Sequence, residues 1–183
     1  MRCAAILVTL AACSFDTTVA LTDAPIRDAS SVDEVQPTSF IFEAEAFVSE
    51  TTTATHDWTE VVAIGGYSGT GYMILSPDNS TACGTQATVT TCAASLVYNV
   101  PIADARTYYV YARLYASGAS HDSVWFGFDG IVDDVIDVME DSTWRWTGGK
   151  AVALAAGMHT LHVWQREGAR FDVIAVMPTA TPP

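Results

Sequence analysis

Apolar and polar residues alternate with a period of two over much of the chain beyond residue 38, and this pattern predicts β-strands. The strongest signal is a pair of aromatic-rich segments, Tyr108–Tyr115 and Ser123–Asp129, separated by a turn cluster that contains Ser, Gly and Asp. Both alternating sets of Tyr108–Tyr115 are largely apolar, with Arg113 as the exception. We therefore expect a strand that is covered on both faces, next to a second strand of the same kind.

Further strands are predicted on either side of this pair, each bounded by Gly, Pro or polar residues. They are Phe40–Val48, Trp58–Ile64, Gly71–Leu75, Ser95–Val100, Ile131–Met139, Trp144–Thr147, Ala151–Leu154, His159–Arg166 and Phe171–Met177. Gly148 and Gly149 are expected to form a turn, and no segment holds a helical period for long. Roughly ten short strands with regular turns predict an all-β fold, an antiparallel two-sheet β-sandwich of the jelly-roll type.

The first residues predict an export signal. Arg2 precedes an apolar stretch that ends in small residues, and the sequence Leu10–Cys13 (LAAC) is typical of a bacterial lipoprotein signal. We interpret residues 1–12 as a signal peptide, Cys13 as the lipidated residue, and residues 13–37 as a flexible polar tether. The protein would then be a membrane-anchored lipoprotein, periplasmic or on the cell surface. The alternative is a secretory peptide cut near Ala20, which would give a secreted protein.

The folded domain is expected to span residues 38–178, followed by a frayed tail, residues 179–183. The whole chain of 183 residues carries 21 acidic and 8 basic residues, a formal net charge of −13. Nucleic-acid binding requires clustered Lys and Arg, so this composition argues against it. The acidity is consistent with solubility.

Two cysteines, Cys83 and Cys92, remain in the predicted domain. An even pair, close in sequence, in an exported chain predicts a disulfide. A zinc site is not predicted, because the four histidines show no spacing that would complete a set of four close ligands.

Three short motifs could carry chemistry. Glu43 and Glu45 lie two apart on a predicted strand, where both carboxylates would leave one face and could share a calcium ion; a solvated strand face is the alternative. Trp144 and Trp146 also share a face and could stack on sugar rings, although core packing is the commoner fate of Trp. Arg166 and Arg170 belong to a charged loop whose guanidinium groups could bind hydroxyls or carboxylates, or simply keep a hairpin soluble.

Six segments occur in a recognisable order along the domain: EAE, GYSGTGY, YYVYARLYA, DSVWFGFDG, WRW and LAAGMHTLHVWQREGARFDVIAV. As a set they resemble the β-sandwich carbohydrate-binding modules of families 6 and 35 and their galactose-binding-like relatives. The resemblance extends from about Phe40 to Pro178. It implies a jelly roll of two antiparallel sheets, with a structural calcium ion held by Glu43, Glu45 and Asp172.

The resemblance also implies a sugar site in the loops at one end of the sandwich. Trp144 matches the aromatic residue of the WRW segment, and Tyr67 or Tyr72 matches a second aromatic residue from an earlier loop. Many family members place Asn two residues before the aspartate of the last strand, whereas this chain has Arg170. That departure puts the usual neutral sugar in doubt and favours an acidic one. The loop from Cys83 to Cys92 has no matching segment.

These features predict a non-catalytic carbohydrate-binding module on an exported, lipid-anchored protein, which binds polysaccharide or a cell-surface glycan and works beside an enzyme or surface protein. The alternative is a structural or adhesion protein that uses the same sandwich for protein contacts. An enzyme is not predicted, because no nucleophile, phosphate-loop or metalloprotease motif is present. Acids from Asp133 to Asp141 could supply the carboxylate pair of a small glycan-active enzyme, but they form a run, and a run of acids is usually a solvated face.

Overall fold

The computed structural model describes residues 38–53, 55–76 and 83–183. The predicted signal peptide, the lipidation of Cys13 and the tether lie outside the described residues. Eleven strands and one short helix occur in the described part of the chain. They are β1 (Phe40–Glu43), β2 (Ser49–Thr51), β3 (Asp57–Val61), β4 (Tyr72–Ser76), α1 (Val89–Cys92), β5 (Ser95–Ile102), β6 (Arg106–Tyr115), β7 (Ser123–Phe128), β8 (Ile131–Asp137), β9 (Arg145–Leu154), β10 (Gly157–Gln165) and β11 (Arg170–Met177).

The strands form two antiparallel sheets, as the alternating pattern predicts. In the first sheet the order is β3-β4-β11-β6-β9, and β1 also pairs with β11. In the second sheet the order is β2-β5-β10-β7-β8. Neighbouring strands in space are mostly distant in sequence, which is the connectivity of a β-sandwich. Within the described residues, no helix is long and apolar enough to cross a membrane.

The core lies between the two sheets and is built from the inward-facing set of each strand. Its largest fully buried side chains include Tyr98, Tyr108, Phe126 and Phe171. The hydroxyl of Tyr98 donates a hydrogen bond of 2.7 Å to the carbonyl of Ala44. Burial, together with the nearby Glu45 carboxylate, raises the pKa of Tyr98 well above its ordinary value, so the phenol stays a donor. The core thereby fixes the turn that follows β1.

The predicted strand Phe40–Val48 is wrong in its second half. The chain leaves the first sheet at Glu43, turns through Ala44 and Glu45, and joins the second sheet as β2. The turn is closed by the amide of Ala46, which donates to the carbonyl of Glu43 at 3.0 Å. Glu43 and Glu45 therefore do not share a strand face; one ends a strand and the other lies in a turn.

The expected turn at Gly148 and Gly149 is also wrong, because both residues lie within the continuous strand β9. Their φ angles of 111° and 69° belong to the left-handed region that glycine tolerates. They form a bulge opposite Tyr111, where the pairing of β6 with β9 shifts register. A Cβ on Gly148 would lie 2.7 Å from the carbonyl oxygen of Val110, which shows why glycine is required there.

The polar loop before β5 contains α1, a single helical turn that the sequence did not predict. The structure joins Cys83 and Cys92 in a disulfide with a Cα–Cα distance of 5.8 Å, as expected. This disulfide loop packs Cys83, Val89 and Ala93 onto Trp125 and Trp164, on the outer face of the second sheet. It is held there by the indole N–H of Trp125, which donates to the carbonyl of Cys83 at 2.9 Å.

An aspartate–histidine pair joins the β7–β8 turn to the neighbouring strand β10 in the second sheet. Asp129, in the β7–β8 turn, accepts a hydrogen bond from the Thr160 amide at 2.9 Å, and its other oxygen lies 2.7 Å from Nδ1 of His159. The hydrogen bond to Asp129 raises the pKa of His159 from its ordinary value of 6.5. Burial opposes ionisation of Asp129, but its bonds to Thr160 and His159 outweigh this and lower its pKa.

We expect this pair to make stability depend on pH. A histidine whose pKa is raised by folding stabilises the fold fully below its unfolded pKa, and the contribution is lost as pH rises through the folded value. The free energy of unfolding, measured by urea titration from pH 5.5 to 8.5, should therefore fall above pH 6.5. Asp129→Asn should flatten this decline, whereas the control Asp134→Asn, which removes a partner of Lys150, should leave it in place. An equal decline in Asp129→Asn would contradict the assignment.

Candidate functional site

A glycine-rich loop, residues 65–70, folds over one end of the first sheet and is held by acidic side chains. The hydroxyl of Ser68 donates to Oε1 of Glu43 at 2.8 Å, and its amide donates to Oδ1 of Asp172 at 2.9 Å. The amide of Thr70 donates to Oε1 of Glu45 at 2.7 Å. Three carboxylates, two from the end of β1 and its following turn and one from the distant strand β11, thus converge on this loop. We call Glu43, Glu45 and Asp172 the carboxylate cluster, and residues 65–70 the glycine loop.

Each carboxylate is positioned by an irregularity in the backbone. Glu43 ends β1, and Glu45 lies in the turn that Tyr98 anchors through Ala44. Asp172 lies where β11 shifts register against β6 between Phe171 and Val173. Such a bulge re-aims a side chain that a regular strand would turn the other way. Asp172 is fully buried among the residues of β11, although it is charged.

The cluster presents two oxygen atoms that no protein group satisfies. Oε2 of Glu43 and Oε2 of Glu45 are buried without a hydrogen-bond partner. Buried polar oxygens normally have partners, and carboxylate oxygens are the ligands that calcium prefers. These two residues therefore fit the expected cation.

Asp172 fits the cation less directly, because both of its oxygens already have partners. Oδ1 accepts from Ser68 and Oδ2 forms an ion pair with Arg113. Burial raises the pKa of Asp172, and the charge of Glu43 adds to this effect, while Ser68 and Arg113 act against it. Within the described residues, no three acidic, His or Cys side chains are gathered closely enough to enclose a metal ion.

Four aromatic rings pack together at this end of the sheet, and one of them, Tyr67, belongs to the glycine loop itself. Tyr72 lies with its ring centroid 5.7 Å from Tyr67 and 5.2 Å from Trp144, and Tyr115 lies 5.4 Å from Trp144. Tyr72 is only 2% exposed, so it forms the base of the cluster, whereas the other three rings are half-buried. We call Tyr67, Tyr72, Tyr115 and Trp144 the aromatic cluster.

The loop and the aromatic cluster are joined directly. The indole N–H of Trp144 donates to the carbonyl of Gly65 at 3.1 Å. A Cβ on Gly66 would lie 3.3 Å from the Trp144 ring, so the loop backbone rests against the indole. This contact brings Tyr67 to the same surface as Trp144, although the two residues are far apart in sequence.

Two predicted site residues, Arg170 and Trp146, lie close to this surface. Arg170 pairs with Tyr115 in the β6–β11 ladder, and its guanidinium donates to the Ser117 hydroxyl at 3.0 Å. Trp146 stands opposite Arg113 in the β6–β9 ladder and is half-buried. The structure therefore brings Tyr67, Tyr72, Trp144 and Arg170 together at one end of the sandwich. Trp146 follows in β9, two residues after Trp144.

Arg166 belongs to the other side of the molecule. Its guanidinium lies 5.8 Å from the ring centroid of Trp125 in the second sheet, and it pairs with Glu167 at 3.2 Å and with Asp137 at 3.4 Å. Nearby, burial and a hydrogen bond to Glu167 raise the pKa of Asp122 to about 6. This network joins two loops through local charges, and it stands apart from the aromatic cluster.

The run of acids also has structural partners. Asp134 pairs with Lys150 at 3.0 Å, and Asp141 forms an ion pair with Arg145 four residues along. Asp133 accepts a hydrogen bond from the amide of Phe128 at 3.1 Å. These contacts explain the run as the polar surface of β8 and the following loop.

Sequence reasoning missed two residues of the site, Arg113 and Tyr115. Both lie on the outward face of β6, whose inward face is core. The available signal was the single charge within the apolar stretch Tyr108–Tyr115. A charge in that position requires a partner, and the partner, Asp172, lies in a distant strand.

Solved structures that align with this chain include carbohydrate-binding modules. A family 35 carbohydrate-binding module from Clostridium thermocellum aligns with a TM-score of 0.55 at 16% identity, over 76% of this chain and 97% of that chain. This chain has the fold of family 35 modules. A family 35 module from an environmental isolate aligns with a TM-score of 0.54 at 22% identity, over 79% of this chain and 97% of that one.

The family 35 fold also occurs inside longer chains. A GH26-CBM35 β-(1,4)-mannanase from Podospora anserina aligns with a TM-score of 0.57 at 17% identity, over 80% of this chain but only 29% of that chain. No family model and no curated protein matches the sequence. The likeness therefore establishes the fold, and the function has to be argued from the residues of the site.

Gly69 should be essential to the geometry of the glycine loop. Its φ of 65° is left-handed, and a Cβ would lie 2.1 Å from Oε1 of Glu45. We expect Gly69→Ala to lower the free energy of unfolding by about 1–3 kcal/mol, because it adds backbone strain and displaces Glu45. The measurement is urea unfolding followed by fluorescence. Gly118→Ala, where a Cβ meets nothing within 4 Å, is the matched control and should change stability little.

Proposed function

We propose that this protein is a non-catalytic carbohydrate-binding module whose sugar site is the aromatic cluster with Arg170. The observation that carries the proposal is the half-buried Trp144, held at the loop end by Tyr72, Tyr115 and Gly65. Sugar rings present C–H groups on one face, and these stack on aromatic rings. Trp144 is held in place by its neighbours and remains half-buried, so the exposed part of its ring is available for this contact.

The polar part of the site comes from the loops beside the rings. Arg170 presents a guanidinium next to Tyr115, and a guanidinium forms paired hydrogen bonds with a carboxylate. We therefore propose a uronic acid or another acidic sugar as the preferred ligand. The surface is shallow, since no enclosed pocket is formed by the described residues. Affinity for a single sugar unit is expected to be weak, about 4–8 kcal/mol of binding free energy.

The structural or adhesion alternative predicts that Trp144 and Tyr67 are buried and that the loop end is not concave. Both rings are half-buried, which supports the sugar-binding proposal, whereas the lack of a pocket among the described residues agrees with the alternative. Export and a lipid anchor at Cys13 are part of the proposal and rest on the sequence of residues 1–13. An anchored module of this kind would hold polysaccharide near a membrane, beside an enzyme or surface protein.

We further propose that calcium binds at Glu43 and Glu45 and stabilises the glycine loop. A bound cation would supply partners to the two unsatisfied oxygens and reduce the repulsion among three carboxylates. Ser68 and Thr70 would orient Glu43 and Glu45 toward the cation. Asp172 would hold the glycine loop through the amide of Ser68.

A glycan array that carries neutral and uronic-acid polysaccharides tests the sugar proposal. The protein with Cys13→Ser, which prevents lipidation, should bind one glycan class, and Trp144→Ala should weaken binding at least ~10-fold, or about 1.4 kcal/mol. Tyr109→Ala, a half-buried aromatic residue on the same strand as Tyr115, should leave binding unchanged. Arg170→Gln should remove any preference for uronic acids. A folded protein that binds no glycan would favour the adhesion alternative.

Calorimetric titration with calcium tests the cation proposal. We expect saturable binding, and an increase in unfolding free energy of about 2.7 kcal/mol at a calcium concentration 100 times the dissociation constant. Glu43→Gln and Glu45→Gln should each weaken binding, whereas Glu140→Gln, on an exposed loop, should not. If the titration shows no heat of binding and millimolar calcium leaves the melting temperature unchanged, the proposal is refuted.

A further inference from the structure

Arg113 occupies an unusual position for a charged residue. It lies on β6, the strand whose inward residues Val110, Ala112 and Leu114 are fully buried, and its own side chain is only 23% exposed. Arginine is not deprotonated in proteins, so Arg113 keeps its charge on such a surface. It therefore needs partners that compensate the loss of water.

Three partners meet the guanidinium of Arg113. Nη1 forms an ion pair with Oδ2 of Asp172, and Nη2 donates to the carbonyl of Gly66 at 2.8 Å. The Cζ atom also lies 5.5 Å from the centroid of the Trp144 ring, within the range of a cation–π contact. One planar group thus contacts the carboxylate cluster, the glycine loop and the aromatic cluster at once.

These contacts close a ring of interactions. Asp172 holds Ser68 of the glycine loop, and the same loop accepts from Trp144 at Gly65. Arg113 supplies the two connections that complete the ring, from Asp172 to Gly66 and from Asp172 to Trp144. Since Asp172 has no ring contact of its own with Trp144, any influence of the buried carboxylate on the indole passes through the guanidinium or the loop.

We propose that Arg113 is a positioning residue for the binding surface: it sets the orientation of Trp144 and the Gly65–Gly66 backbone by tying both to the buried carboxylate of Asp172. The inference rests on the proposed function only in assigning Trp144 to the sugar. Lysine cannot replace Arg113 in this role, because a single ammonium group lacks the planar fork that reaches Asp172 and Gly66 together.

The indole N–H resonances of the full-length protein, recorded by 15N NMR without ligand or metal, test the proposal. Trp144→Phe identifies the Trp144 resonance. Arg113→Met should shift that resonance and speed exchange of its proton with water, because the bond to Gly65 loosens. The resonances of Trp58, Trp125 and Trp164, which are buried away from Arg113, should not move and report that the variant is folded.

A double-mutant cycle separates positioning from a general structural role. Asp172→Asn should shift the Trp144 resonance strongly in the otherwise unchanged chain, but much less in the Arg113→Met background, where the bond to Ser68 is the remaining connection. In Arg113→Lys the Trp144 resonance should lie between its positions in the unchanged chain and in Arg113→Met. Arg166→Met is the matched control: its guanidinium faces Trp125, so it should move the Trp125 resonance and leave Trp144 in place.

Two results would overturn the proposal: an unmoved Trp144 resonance in Arg113→Met, or equal shifts from Asp172→Asn in both backgrounds. If Arg113→Met does not fold, Arg113→Lys and Asp172→Asn are judged by the same resonance. If only the sugar proposal is wrong, the protein binds no glycan, but the indole resonances still shift as expected.

Discussion

The ion pair between Asp172 and Arg113 is the constraint on which the loop end of this protein depends. Asp172 is a fully buried carboxylate at a break in strand register, and such a charge is tolerated only with strong compensation. The compensation comes from a guanidinium on the neighbouring strand and an amide in the glycine loop. The two sheets could pack without this pair, but the loop would lose the group that fixes its backbone.

Charge is distributed unevenly in relation to this pair. The chain as a whole is strongly acidic, with 21 acidic and 8 basic residues, yet two of its arginines, Arg113 and Arg170, lie beside the aromatic cluster. Long-range repulsion from the acidic surface would slow the approach of an anionic polymer. Arg170 would hold an acidic sugar that arrives, whereas the guanidinium of Arg113 is already paired with Asp172.

The sequence predicted the fold well, because alternation with a period of two is a local signal. It located β6 and β7 nearly to the residue, and the disulfide followed from two nearby cysteines. It failed where backbone irregularities decide the outcome. Two acids two apart suggested one strand face, yet a turn separates Glu43 from Glu45, and they reach the same loop by different routes.

The bulge at Gly148 illustrates the same limit. A glycine pair is typical of a turn, and only the neighbouring strand reveals that the pair remains in a ladder. The role of Arg113 could not be predicted, because its partners are set by contacts across 59 and 47 positions of sequence. Local patterns report which residues are buried, whereas the site depends on which distant residues meet.

The pairing of β1 with β11 fixes the end of the first sheet at which the sandwich begins and ends. Phe40 lies opposite Val176, and Glu43 lies opposite Val173, so the domain begins and finishes at one end of the first sheet while the carboxylates gather at the other. The separation along β1 alone is roughly 10 Å. Phe40 and Met177 therefore lie at the end of the first sheet opposite the carboxylate cluster, and Arg170 lies beside Tyr115 at the other end. The first and last strands of the sandwich thus brace the carboxylate cluster from the side while their outer ends stay away from the surface proposed to bind sugar.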